Sequence, residues 1–250
     1  MWIEEILIFA LVGFVAQLVD GAAGMAYGLI ATSVLLSMGV APATASASVH
    51  AAEVFTTGAS GLAHWRAGNV IPGLVRRLAL PGMVGGAIGA FVLSDMPVAW
   101  MRPVVSAYLL AMGALILWRA CRAPTPPPRH PPRVIALGLG GGFLDAVGGG
   151  GWGALVTSTL IGRGDLPRTA IGSANAAEFF VATTITAAFI GTIGLELWPA
   201  ILGLMIGGVL AAPLAALITK RMPARPLMIA VGLVISLLAL RGLGRASGLF

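Results

Sequence analysis

The sequence predicts an all-α fold, a polytopic membrane helix bundle built from two homologous halves whose first helices are broken. Three observations predict it: the composition, the length of the apolar runs and an internal repeat. Of the 250 residues, 58% are hydrophobic and only 10% are charged, and the mean hydropathy is +0.97. So few charged residues cannot cover the surface of a soluble domain, whereas a bilayer supplies apolar surroundings.

Several apolar runs approach the roughly 20 residues that a helix needs to cross the hydrocarbon core. They span residues 43–63, 71–93, 100–118, 201–218 and 227–240. Only helices and closed barrels satisfy their backbone hydrogen bonds inside lipid, and these runs are continuous rather than alternating, which favours helices. Together with the two broken stretches, they lead us to expect 8 to 10 membrane segments.

The basic residues explain the net charge of +6 and a pI near 11.0. In a soluble protein this charge would suggest a nucleic-acid partner. Here the basic residues lie between apolar runs, as is typical of the cytoplasmic loops of membrane proteins. We therefore expect no nucleic-acid partner. The single cysteine, Cys121, excludes an intramolecular disulfide, and the N-terminus lacks the basic region of a signal peptide, so the first apolar run is expected to be retained.

Residues 123–132, APTPPPRHPP, are too rich in proline to form a helix and divide the chain. We assign residues 1–120 to a first membrane repeat, 121–133 to a cytoplasmic Pro/Arg-rich linker, and 134–250 to a second membrane repeat. A displacement of 125 residues places Asp20 on Asp145 and Glu53 on Glu178. Further identities in this register are Gly24 with Gly149, Gly28 with Gly153, Thr32-Ser33 with Thr157-Ser158, and Ser48 with Ser173.

Each half opens with an apolar stretch of awkward length, residues 6–38 and 134–161. As one helix the first would be ~50 Å long, against a hydrocarbon core of about 30 Å. A glycine-rich segment directly follows the Asp in each stretch, so we expect two short helices of about 14 residues meeting at a break. Irregular backbone inside a membrane must be buried in protein or line a cavity.

Loop charges predict the topology. If the arginine-bearing linker is cytoplasmic and the broken stretches turn back, Arg66, Arg163 and Lys220 lie inside while Glu4 and Glu5 lie outside. The exceptions are Arg241 and Arg245, which fall outside. Each half then makes an odd number of passes, so the halves are inverted. If the broken stretches cross once, the halves are parallel; the charges favour the inverted arrangement.

Four of the nine acidic residues lie within apolar segments: Asp20, Glu53, Asp145 and Glu178. An ionisable group there is costly unless it faces a polar interior, which indicates function. Around Glu53 the polar positions Ser46, His50 and Thr57 share one helical face, and the second copy keeps Asn175 beside Glu178. A structural hydrogen bond, such as Glu53 capping the glycine break of its own half, is the alternative, but two equivalent pairs favour a central site.

The glycine breaks point to an anion. Backbone N–H groups exposed at Gly24, Gly149 and Gly150, and at the helix that follows each break, attract negative charge. Hydroxyl donors two turns further on are Thr32, Ser33, Thr157 and Ser158. No Arg or Lys falls in the middle of a predicted span, so backbone dipoles, hydroxyls and amides would hold the anion. The buried acids must then be protonated, lie apart from the anion, or bind a coupling ion. Protonation of these acids would suit proton coupling.

Four stretches of the sequence resemble those of a known family. The stretches GFVAQLVDGAAGMAYG and PATASASVHAAEVFTTGASGLAHWRAGNV, and the second-half stretches GGFLDAVGGGGWG and IGSANAAEFF, resemble the TauE/SafE sulfite exporters, also called toluene sulfonate uptake permeases. The resemblance implies a multi-pass transporter of the bacterial inner membrane that moves sulfite, sulfonates or related anions, often outward. Many members carry no acid where this chain has Asp20, which allows a different substrate or coupling ion.

The leading hypothesis is a secondary transporter, more specifically an exporter, of a small sulfur-containing oxyanion, with proton coupling. The alternative is a transporter of a cation or metal ion that uses Asp20, His50, Glu53 and their counterparts as ligands. An intramembrane enzyme is disfavoured because no HExxH motif or cysteine nucleophile is present. We expect no cofactor and no bound metal; the expected partners are the small anion and the bilayer, and a homo-oligomer is left open.

Overall fold

The computed structural model describes residues 2–121, 133–218 and 224–246, and within these ranges the chain is helical and has no strand. The helices are α1 (Trp2–Ala23), α2 (Tyr27–Ser37), α3 (Pro42–Arg66), α4 (Pro72–Asp95), α5 (Val98–Cys121), α6 (Val134–Gly148), α7 (Ser158–Gly162), α8 (Pro167–Thr192), α9 (Trp198–Ile218) and α10 (Ala224–Ala246). A π-helical turn, Gly153–Thr157, leads into α7. The all-α prediction is confirmed. Most of the predicted linker lies outside the described residues.

Five of the described helices are long and apolar enough to cross a membrane: Trp2–Asp20, Pro72–Asp95, Val98–Cys121, Pro167–Thr192 and Arg225–Arg245. Large apolar side chains remain exposed along them, including Leu11, Leu80 and Leu237. Such an extensive exposed apolar surface suits contact with lipid. The polypeptide is therefore a multi-pass helical membrane protein.

Both predicted breaks are present, at residues 24–26 and 149–151. The expectation that each break directly follows its Asp, between helices of about 14 residues, was wrong in detail. α1 has 22 residues, and α1 and α6 each continue three residues beyond the Asp. The helices end where the backbone turns left-handed, at Gly24 and Gly149, both with φ of 68°, because glycine adopts that conformation at little cost.

The displacement of 125 residues relates the helices as well as the motifs. It carries α2 onto residues 152–162, which form the π-helical turn, its preceding residue and α7. The helices of the two halves interlock: α1 packs on α9 and α6 on α4, while α3 packs on α8 and α5 on α10. The first helix of each half thus lies against the fourth helix of the other.

Contacts between these pairs fix the helix directions. Gly203 of α9 lies against Ile6 of α1, and Gly207 lies against Ala10, so α1 and α9 run parallel. The corresponding contacts, which make α4 and α6 parallel, are Leu78 with Gly138 and Gly82 with Gly142. Glycines line these contacts because only a small residue lets two helix backbones approach so closely.

The other two pairs are antiparallel. In α3 and α8, Gly58 lies against Phe179 and Gly61 lies against Ala176. In α5 and α10, Gly113 contacts Ser236 while Gly242 contacts Ser106. Since α8 and α9 are joined by a short turn and run oppositely, α1 and α3 run in the same direction. α2 must therefore return toward the side from which α1 came, as expected if the broken stretch turns back within the membrane.

With these directions, helix ends that carry Arg66, Arg119, Arg168 and Arg225 lie on one side, which we name the arginine-rich face. The opposite face carries Glu4, Glu5, Asp95 and Glu196. Two arginines on the opposite face bind backbone carbonyls. Arg245 donates to the carbonyl of Ser37 at 3.1 Å and Arg102 to that of Gly39 at 2.9 Å, where they complement the C-terminus of α2.

Gly142→Ala is expected to destabilise the bundle, because a methyl group there would overlap the carbonyl oxygen of Gly82 in α4. Overpacking of this kind costs about 1–3 kcal/mol. The matched control is Gly140→Ala, two residues away in the same helix, which meets nothing within 4 Å. Thermal unfolding in detergent should show a lower apparent Tm for Gly142→Ala alone; equal Tm values would contradict the packing.

Candidate functional site

The two breaks cross each other at the centre of the bundle. Gly28 lies against Gly150, and Met25 lies against Gly153. The displacement of 125 residues relates these two contacts to each other. A pocket adjoins this crossing and is lined by residues from both halves: Gln17, Asp20, Ala26, Tyr27, Gly28, Glu53, Thr56, Thr57, Ser60, Gly151, Gly153, Asn175 and Glu178. Asp20, Glu53, Glu178 and Asn175, singled out in the sequence, therefore meet at one place.

Each Asp accepts a hydrogen bond across its own break. Asp145 Oδ1 accepts from the backbone N–H of Trp152 at 2.8 Å, and Asp20 Oδ1 accepts from that of Tyr27 at 3.5 Å. These N–H groups open the helical segments that follow the breaks, where unpaired donors and the helix dipole favour a carboxylate. The structural alternative expected Glu53 to cap a break, whereas the structure gives that role to the Asp of each half.

His50 joins the two halves. Its Nδ1 lies 2.8 Å from the carbonyl oxygen of Ser46, which can only accept, so Nδ1 carries the hydrogen. Its Nε2 is 3.2 Å from Asp145 Oδ2 and 3.8 Å from Glu53 Oε2. His50 and Asp145 are completely buried, and the Ser46 hydroxyl donates to the carbonyl of Ala146 at 2.6 Å, which ties α3 to α6.

Glu53 belongs to both the pocket and the histidine cluster. Its side chain is 3% exposed, and Oε2 has no hydrogen-bond partner among the described residues. One ligand-capable atom each from His50, Glu53 and Asp145 lies within 4.8 Å of the other two, a geometry that could hold a metal ion. An unpaired buried carboxylate oxygen is costly, so this arrangement needs a proton, a cation or a polar ligand to complete it.

The second half lacks the equivalent cluster. Asn175 occupies the position of His50, and its Nδ2 donates to the Ser60 hydroxyl at 2.7 Å rather than to Asp20. Glu178 is 9% exposed and faces the pocket. Among the described residues, the buried contact between an imidazole of one half and a carboxylate of the other therefore occurs once.

The two breaks also differ in how they are held. The hydroxyls of Thr32 and Tyr108 donate to the carbonyls of Gly149 and Gly150 in the second break, the latter at 2.9 Å. At the equivalent positions around the first break, Thr157 Oγ1 has no hydrogen-bond partner among the described residues, and Leu233 is exposed.

The pocket lies toward the arginine-rich face. Ser60 is six residues from Arg66, and Asn175 is seven residues from Arg168, or about 9 Å and 10 Å along their helices. In the second break, Gly151 lines the pocket, while the carbonyls of Gly149 and Gly150 accept hydrogen bonds from Thr32 and Tyr108.

Several residues named from the sequence do not line the pocket. They are Gly24, Thr32, Ser33, His50, Asp145, Gly149, Gly150, Thr157 and Ser158. Ser158 donates to the carbonyl of Ala154, and Ser33 and Thr157 are buried without a hydrogen-bond partner among the described residues. Thr57 does line the pocket, while its hydroxyl donates to the carbonyl of Glu53.

Sequence reasoning missed Gln17, Thr56, Ser60, Tyr108 and Arg119. Spacing could have found the first three, because Gln17 precedes Asp20 by one turn, and Thr56 and Ser60 lie one and two turns after Glu53. No local pattern indicates Tyr108. The guanidinium of Arg119, near the end of α5, donates to the carbonyl of Ala154 in the π-helical turn at 2.7 Å.

Comparisons with known proteins agree with this architecture. The family model described as "Sulfite exporter TauE/SafE" matches residues 9–242. The "Probable membrane transporter protein YtnM" of Bacillus subtilis (strain 168) is 41% identical over 238 residues, covering 92% of this chain and 79% of that protein. No solved structure matches the chain.

Asp145→Ala is expected to destabilise the protein more than Asp20→Ala. It leaves both the Trp152 N–H and His50 Nε2 without their partner, at a cost of about 2–4 kcal/mol, whereas the longer contact of Asp20 is expected to contribute about 1 kcal/mol. Chemical unfolding in detergent, followed by tryptophan fluorescence, measures the difference. Equal destabilisation by the two equivalent substitutions would contradict the unequal roles.

Proposed function

The chain belongs to the TauE/SafE sulfite exporter family, and from that membership we propose that it is a secondary transporter of a small sulfur-containing oxyanion, such as sulfite or an organosulfonate. The family and the relative are membrane transporters, not enzymes. We further propose export across the bacterial inner membrane, with the arginine-rich face in the cytoplasm, because basic loops remain on that side.

The crossing of the two breaks carries the proposal. The start of α2, at Ala26, Tyr27 and Gly28, lines the pocket together with Gly151 and Gly153 of the second break. Helix N-termini and irregular backbone present N–H groups that bind anions, as in transporters with discontinuous helices. Further hydrogen-bond donors among the lining residues are Gln17, Ser60 and Asn175, whereas the hydroxyls of Thr56 and Thr57 donate to the carbonyl of Glu53.

Three carboxyl groups line the same pocket: Asp20, Glu53 and Glu178. An anion beside them is repelled if they are ionised, since charges that are buried together interact strongly. We therefore propose that the anion is accommodated when pocket carboxyls are neutral, which links anion movement to protons. The sequence contains no ATP-binding loop, so the energy would come from a gradient or a partner.

Alternating access between the two faces follows from the same proposal. The antiparallel pairs α3–α8 and α5–α10, each made of equivalent helices, support repeats that are inverted in the membrane. In inverted-repeat transporters, the halves exchange conformations around a central site. The hydroxyls of Thr32 and Tyr108 would hold the face opposite the arginines closed in the conformation described here.

Transport in proteoliposomes tests the substrate. We expect the purified protein to move sulfite or a short sulfonate such as methanesulfonate, with sulfate and thiosulfate as comparison anions and protein-free liposomes as the control. A transmembrane pH gradient should change the rate. If none of these anions moves but a divalent cation does, the proposal is wrong and the alternative cation transporter is correct.

Glu178→Gln is expected to flatten the pH dependence of anion transport, because the amide stays neutral at every pH while the carboxyl does not. Initial rates measured from pH 5 to pH 8 give the comparison. Glu196→Gln is the matched control, since Glu196 is exposed at the opposite face. An unchanged pH profile in Glu178→Gln would show that this carboxyl does not couple transport to protons.

A further inference from the structure

We propose that His50, Glu53 and Asp145 hold one resident divalent transition-metal ion beside the transport pocket. The alternative drawn from the sequence treats a cation as cargo, whereas this ion would stay bound while another substrate moves. The site draws His50 and Glu53 from α3 and Asp145 from α6, so the metal would bridge the two halves of the chain.

The distances suit a metal after a small adjustment. His50 Nε2 is 3.2 Å from Asp145 Oδ2 and 3.8 Å from Glu53 Oε2, and the ligand atoms of the three residues all lie within 4.8 Å of one another. Ligands at roughly 2.1 Å from a tetrahedral zinc lie about 3.4 Å apart. Side-chain rotation therefore suffices to close the set, with positions left open for water or another ligand.

The surroundings orient the ligands in advance. Because the Ser46 carbonyl accepts from Nδ1 of His50, its Nε2 is the nitrogen whose lone pair is available to a metal. The backbone N–H of Trp152 binds Oδ1 of Asp145 and directs Oδ2 toward the histidine. Hydrogen bonds of this kind to the far side of a ligand are the usual support of metal sites.

Glu53 supplies an independent observation. Its Oε2 is buried, faces His50 and has no hydrogen-bond partner among the described residues. A divalent ion would satisfy this oxygen, and its charge would balance two carboxylates. One imidazole and two carboxylates are ligands that zinc and neighbouring transition metals accept.

The second half of the chain does not offer an equivalent set of three ligands. The equivalent set in the second half would be Asn175, Glu178 and Asp20, but Asn175 has no imidazole and donates to Ser60. We therefore expect one metal ion per chain. The difference between His50 and Asn175 then distinguishes a metal-holding half from one that faces the pocket.

A resident cation would also answer an electrostatic problem of the pocket. Glu53 lines the pocket, and none of the described lining residues is an arginine or a lysine. A divalent ion bound to Glu53 and Asp145 would neutralise both carboxylates and so remove the repulsion that an ionised Glu53 exerts on an oxyanion. This last step rests on the proposed function, whereas the metal site itself does not.

Metal binding to the purified chain tests the site without any transport measurement. The protein, prepared without a polyhistidine tag and stripped with a chelator, is dialysed against Zn²⁺ and its metal content is measured; Co²⁺ absorption reports the coordination. We expect one equivalent of Zn²⁺. Glu53→Gln and His50→Asn, the second of which installs the residue of the other half, should each weaken binding at least about 100-fold.

His64→Asn is the matched control, because His64 lies near the end of α3 outside the cluster and should bind as the parent does. Glu53→Gln should still fold, since Oε2 makes no hydrogen bond to lose, and gel filtration checks this. The proposed site is wrong if the parent chain does not bind zinc. It is also wrong if folded Glu53→Gln and His50→Asn bind zinc as the parent does. Failed anion uptake with zinc binding intact would overturn the proposed function alone.

Discussion

A break in a membrane helix must have its backbone groups satisfied by protein, and the rest of this structure depends on that constraint. The two breaks meet this need together, by crossing at Gly28 and Gly150. Asp145 binds the N–H beyond its own break, and hydroxyls from α2 and α5 bind the carbonyls of the second break. Because these partners come from both halves, the breaks tie the repeats into one bundle.

The four buried acids, which look equivalent in the sequence, perform different tasks. Asp20 and Asp145 both cap helical segments, but Asp145 also contacts His50, whereas Asp20 lines the pocket. Glu53 lies between the histidine and the pocket, and Glu178 lines the pocket together with polar groups of α1, α3 and α8. Carboxyls at equivalent positions of the two halves therefore belong to two unlike sites.

Much of the architecture could be predicted because it follows from local patterns in the sequence. The 125-residue register, the glycine-rich breaks and the helical spacing of His50 and Glu53 are properties of neighbouring residues. The length of α1 was predicted too short, whereas α6, with 15 residues, is close to the expected length. The ends of both helices were placed too early, because the position of the Asp was taken as the end of the helix. The backbone leaves the helix at Gly24 and Gly149 instead, and each carboxylate reaches across to the next segment.

By itself the sequence determined that this chain is a helical membrane protein with an acid pair at equivalent positions of each half, because hydropathy and matching residues are read along the chain. Only the tertiary structure decided which acid meets which partner. His50 and Asp145 are separated by 95 residues, and Tyr108 reaches Gly150 from another helix, so no spacing rule connects them. Their contacts exist because α1 packs on α9 and α6 on α4, an interlocking that sequence periodicity does not encode.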